Sequence, residues 1–139
     1  MQNSCTPLKG EYSESLSHGG KLKVTITSWH IYYYFPGPDG RYSGTSVIIY
    51  DKEIDLFISA WKNNFNKYRQ LKEVIPQGGN SEYPGEMGMS IRFGFCEGVC
   101  IKSYHLPIKT QKELDSIISE YTDVKLKALQ IQQVLKGNN

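Results

Sequence analysis

The stretch TSVIIYDKEIDLFISAWKNNFNKYRQLKEVI, residues 45–75, contains a change of hydrophobic period that decides the fold. Thr45 to Tyr50 is β-branched and aromatic, the composition of a strand. From Ile54 onward the apolar residues recur at three- and four-residue steps: Ile54, Ile58, Trp61, Phe65, Tyr68, Leu71 and Ile75. That is one stripe of an amphipathic helix, with Lys62, Asn63, Asn66, Lys67 and Gln70 largely off it. Asp51 stands where an N-cap carboxylate would accept from the orphan amides of the first turn. Glu53 and Asp55 suit the positive end of the helix dipole, and Arg69 and Lys72 the negative end. Pro76 to Asn80 stops the helix, and a linker is expected as far as Gly85.

The order of extended chain and then helix holds over residues 21–75 and again over residues 86–136. Upstream, Lys21 to Phe35 is extended. Val24 and Ile26 alternate on one parity, and Trp29, Ile31, Tyr33 and Phe35 on the other. The change near Thr27 and Ser28 predicts a bulge or a break into two strands. Pro36 to Gly40 is a turn cluster. Downstream, Met87 to Cys96 and Val99 to Leu106 predict a hairpin around Glu97 and Gly98. Thr110 and Glu113 form a capping box. Leu114, Ile117, Tyr121, Val124, Ala128, Ile131 and Leu135 make a second helical stripe, and Gly137 suits its C-terminal cap. The expected fold is a single α+β domain over residues 21–139, in the order β-β-α-β-β-α. An antiparallel sheet of four or five strands would carry two long helices on one face. Residues 1–20, polar and rich in Ser and Gly, are expected to be a flexible arm.

Bulk properties narrow the function classes. A chain of 139 residues can bury a core without disulfides or metal. Sixteen basic and fourteen acidic residues leave a net charge of +2, too balanced to predict a nucleic-acid binder from electrostatics. Three cysteines, an odd count, with no apolar leader segment point to reduced thiols in a cytoplasm. No run approaches the roughly 20 apolar residues of a membrane span. The abundance of Lys, Asn and Ile hints at a bacterial or phage source.

No nucleophile elbow, zinc-protease helix, Walker loop or dinucleotide fingerprint occurs. Cys96 and Cys100 followed by His105 is too few ligands for a structural zinc site, so neither metal nor cofactor is expected. A Cys–His nucleophilic pair is disfavoured because Cys100 and His105 are an odd number of residues apart on a presumed strand.

The suggestive feature is a polar β-face. Arg92 and Ser90 alternate with Ile91, Phe93 and Phe95. A two-residue turn at Glu97 and Gly98 would set Ser103 and His105 across from them. A three-residue turn would set Lys102 and Tyr104 there, and this register keeps Val99 and Ile101 with the phenylalanines. The first hairpin adds His30, Tyr32 and Tyr34. Tyr and Arg give large contact energy at low entropic cost, so Arg92, Lys102, Tyr104, His105, His30, Tyr32 and Tyr34 are the expected binding residues.

The first functional expectation is a non-enzymatic protein that occludes a macromolecular partner, a toxin or an enzyme, with help from residues 1–20 and loop 36–44. Immunity-type inhibitors are the analogy, at the level of class alone. The alternative is a binder of a small nucleotide-like anion held by Arg92 in a concave pocket, as a homodimer. Third comes an enzyme using His105 or His30 as general acid or base, which requires a nearby carboxylate. Single-stranded nucleic acid would need Lys21, Lys23, Arg41, Arg92 and Lys102 beside the aromatics, and is disfavoured by the near-neutral charge.

Overall fold

The switch from strand to helix after Tyr50 is realised in the computed structural model of the protein, which describes residues 10–37 and 44–137. Four strands precede the first helix: β1 (Tyr12–Ser15), β2 (Lys21–Val24), β3 (Trp29–Phe35) and β4 (Thr45–Tyr50). Helix α1 (Ile54–Val74) follows, then β5 (Ser81–Pro84), β6 (Ser90–Phe93) and β7 (Gly98–Cys100), and finally helix α2 (Gln111–Leu135). The α+β class, the antiparallel pairing and the two long helices are as expected.

The single sheet is not. The strands form two sheets, one of four strands in the order β1-β2-β3-β4 and one of three in the order β5-β6-β7. Two strands stand where loose chain was expected. Tyr12–Ser15 pairs antiparallel with β2, and Ser81–Pro84 pairs with β6. Residues 1–9 of the anticipated arm, and residues 38–43 of the anticipated occluding loop, lie outside the described residues.

The parity change after Val24 is a turn, closed by the Thr25 N–H donating to the Ser28 carbonyl at 2.8 Å. Asp51 does not cap α1. Residues Asp51–Glu53 make one 3-10 turn, and the Asp51 carboxylate accepts from the Trp29 N–H at 3.1 Å. The sheet amide at the start of β3 outcompetes the helix for that carboxylate. The capping box on α2 forms as read: Thr110 Oγ1 accepts from the Glu113 N–H, and the Glu113 carboxylate accepts from the Thr110 N–H. At the other end Gly137, at φ +68°, donates its N–H to the Val134 carbonyl.

One core joins everything. Leu22, Val24, Trp29, Ile31, Tyr33 and Ile49 from the four-stranded sheet, and Ile91, Phe93, Val99 and Ile101 from the second hairpin region, meet both helical stripes. Phe57, Ala60 and Asn64 are buried beside the expected α1 residues. Asn64 is a polar member with its amide satisfied: it donates to the Glu86 carbonyl and accepts from the Glu86 N–H, fixing the turn at Glu86–Gly88. Tyr33 Oη and Tyr121 Oη hydrogen-bond at 2.9 Å, tying β3 to α2 inside the core. Burial raises the pKa of both phenols, so each stays a neutral hydroxyl.

Candidate functional site: the open face of the four-stranded sheet

Side chains on a strand alternate between faces, and Tyr32-Tyr33-Tyr34 shows the alternation directly. Tyr33 is fully buried under the helices, while Tyr32 is half-buried and Tyr34 is 49% exposed on the opposite face. The register assembles that outer face in rows. Lys23 lies across from His30, which lies across from Tyr50. Lys21 lies across from Tyr32, which lies across from Ile48, and Tyr34 pairs with Ser46. The His30 and Tyr50 rings are 6.2 Å apart. Ile48 is 42% and Tyr50 53% exposed, so no described segment covers this side. Gly44 lies against the Tyr34 ring, and a Cβ there would run into it.

Among the residues of the four strands, charge on this face has one sign. Glu14 is the one carboxylate within the four strands. It sits across from Leu22, on the covered side, and binds Lys127 of α2 at 2.9 Å. The carboxylates just beyond β4 are committed to backbone amides, Asp51 to Trp29 and Glu53 to Tyr50. Lys21, Lys23 and His30 are the cationic or protonatable nitrogens of the outer face.

The second-hairpin residues do not share that surface. Arg92 pairs with Gly98, and neighbouring Ser90 pairs with Cys100, so a five-residue loop, Phe93 to Glu97, replaces both expected turns. Neither Ser103 and His105 nor Lys102 and Tyr104 stand across from Arg92. The parity of the three-residue register survives, however, and Val99 and Ile101 are buried with Phe93. Phe95 leaves the apolar face and is 60% exposed. The Arg92 guanidinium binds the Glu82 carboxylate, donates to the Phe95 carbonyl at 3.2 Å and lies over the Phe95 ring. Its charge is thus taken up by β5 and the hairpin loop.

Lys102, Tyr104 and His105 belong to a separate tight turn, in which the His105 N–H donates to the Lys102 carbonyl and Ser103 takes φ +53°. His105 stacks on Phe35 at 4.5 Å, Tyr104 stands against His105 at 4.4 Å, and Phe95 lies 6.2 Å from Tyr104. Burial lowers the His105 pKa. The result is an aromatic arc beyond the end of β3.

Among the described residues neither His30 nor His105 hydrogen-bonds a carboxylate. His18 does: its Nδ1 meets Glu120 at 2.9 Å. Ser17 Oγ approaches the same nitrogen at 3.3 Å, so the group clamps the β1–β2 turn onto α2 rather than lining up a proton relay through both ring nitrogens.

The structure therefore brings His30, Tyr32 and Tyr34 together on an open face, and gathers Arg92, Lys102, Tyr104 and His105 elsewhere, around Phe95 and Phe35. The sequence reading missed Ile48 and Tyr50. Their signal was the parity of Ser46, Ile48 and Tyr50 in β4, continued from the first hairpin. Comparison with protein-family models, with curated proteins and with solved structures finds no match. Among the described residues no helix is long and apolar enough to cross a membrane.

Proposed function

We propose that this chain is a non-enzymatic binding protein that grips a macromolecular partner with the open face of its four-stranded sheet. It would occlude that partner's working surface, in the manner of an immunity-type inhibitor acting in the cytoplasm. The observation that carries the reading is the exposure of Tyr34, Ile48 and Tyr50 at 49%, 42% and 53% on a face that neither helix covers. Solvated sheet faces are ordinarily polar, and side chains of this kind recover contact energy only when another surface covers them. Tyr anchors also lose little rotamer entropy when they are buried.

The test places a photo-crosslinking benzophenone residue at position 34 or, as a control, at Lys112 on the exposed side of α2. Each full-length protein is irradiated in the cells that make it. A discrete covalent adduct from position 34 and none from position 112 is the expected result. Equal yields from both positions, or none from position 34, would overturn the reading.

A further inference from the structure

We infer that the partner presents an acidic protein surface, with carboxylates over Lys21 and Lys23 and apolar groups over Tyr34, Ile48 and Tyr50. This rests on the open face being the docking surface, and adds the chemistry of what it takes.

The face is divided. Its β1–β2 side carries Ser13, Ser15, Lys21 and Lys23, while its β3–β4 side carries Tyr32, Tyr34, Ile48 and Tyr50, with His30 between Lys23 and Tyr50. Four cations on other elements are neutralised within the fold, Lys72 by Glu97, Arg92 by Glu82, Lys125 by Asp55 and Lys127 by Glu14, whereas helix lysines such as Lys62, Lys67 and Lys112 stand on faces without an exposed aromatic patch beside them. Lys21 and Lys23 have no ion pair among the described residues, and no carboxylate of the four strands shares their face. A partner covering the face would strand two ammonium groups unless it brought anions to them, and like charges there would repel it.

The same partition favours protein over nucleic acid. A single-stranded polynucleotide needs cations along a continuous backbone track beside its stacking rings. Here both lysines sit on one short strand, and the ring-bearing half of the face carries no cation and includes Ile48. An apolar patch flanked by carboxylates on the partner matches this division better than a chain of phosphates.

The experiment repeats the crosslink from position 34 in the full chain with Lys21→Glu and Lys23→Glu together, and with Lys21→Arg and Lys23→Arg together. The arginine pair keeps the adduct near its original yield, and the glutamate pair lowers it by about tenfold or more, through loss of steering and of the ion pairs. Mass spectrometry of the digested adduct then identifies a partner peptide rich in Asp and Glu. An adduct undiminished by the glutamate pair overturns the charge assignment while leaving the docking face standing. Equal loss with both pairs overturns it too, since charge is then not what the lysines supply. An adduct destroyed by nuclease makes the partner a nucleic acid and overturns it. Absence of any adduct from position 34 in the otherwise unmodified protein overturns the docking face and this inference together.

Discussion

The Glu97 carboxylate accepts from the Tyr68 hydroxyl at 2.6 Å, from Lys72 at 3.0 Å and from the Gly94 N–H at 3.2 Å. The Tyr68 hydrogen bond first, and then Lys72 and the Gly94 amide, hold its pKa down at about 2 from the usual 4.5, against the opposing effect of burial. A depressed carboxylate stabilises the fold fully above the unfolded value, and that contribution is lost as pH falls from 4.5 through about 2. Replacing Glu97 with Gln is expected to cost about 1–2 kcal/mol at neutral pH, the range for charge-assisted hydrogen bonds at a partly exposed site. Urea titrations across that acid range should show a shallower decline for the variant than for the parent, and parallel declines would contradict the assignment. The neighbouring Gly98 is held at φ +134° with the Ile108 carbonyl oxygen 2.6 Å from where a Cβ would stand. That close approach requires glycine at the first residue of β7, so Gly98 serves the strand and Glu97 alone remains in the loop. At this scale Tyr32, Tyr33 and Tyr34 were legible, because alternation alone sorts them. The commitment of Arg92 was not, because its partner Glu82 lies on a strand that Pro84 and Gly85 disguise as linker.

Both helices were legible from their period, and in α2 the caps agree with it as well, whereas α1 begins three residues after the expected cap Asp51. For α2 the capping box satisfies two orphan amides reciprocally, and Glu113 also accepts from the Lys109 N–H at 2.9 Å. The Thr110→Ala variant is expected to lose about 1 kcal/mol of global stability, measured by chemical denaturation. No loss would mean that the helix start is fixed by packing of Leu114 and Ile108 alone. Strands were harder. Tyr12–Ser15 has weak intrinsic β-propensity in Ser13, Glu14 and Ser15, and is a strand because β2 supplies a pairing edge and Lys127 of α2 anchors Glu14. Tertiary partners of that kind leave no local trace. β6 and β7 shortened for a related reason: the five-residue loop allows Arg92 and Cys96 to fold back, the latter's carbonyl accepting from Cys100 Sγ at 3.6 Å.

At the scale of the whole molecule, the sequence implied one sheet with a covered side and a bare side, and the protein has two sheets that differ in this respect. In the three-stranded sheet the side bearing Ser90, Arg92 and Cys100 is occupied by its own hairpin loop, and Ser90 and Cys100 are buried. In the four-stranded sheet no described segment covers the equivalent side. Splitting the sheet therefore divided the expected binding residues as well, leaving His30, Tyr32 and Tyr34 on the free surface with Lys21, Lys23, Ile48 and Tyr50. The division was invisible in the sequence because alternation fixes which residues share a strand face, whereas the sheet they join depends on pairings distant in the chain.

Hydroxyl-radical footprinting tests the central claim most directly, on the purified chain and on the complex recovered from the cells that make it. Tyr34, Ile48 and Tyr50 should be oxidised readily in the free chain and protected in the complex, while Phe95 and Tyr104 are oxidised equally in both. Protection of Phe95 and Tyr104 with Tyr34, Ile48 and Tyr50 still open in the complex would contradict the account.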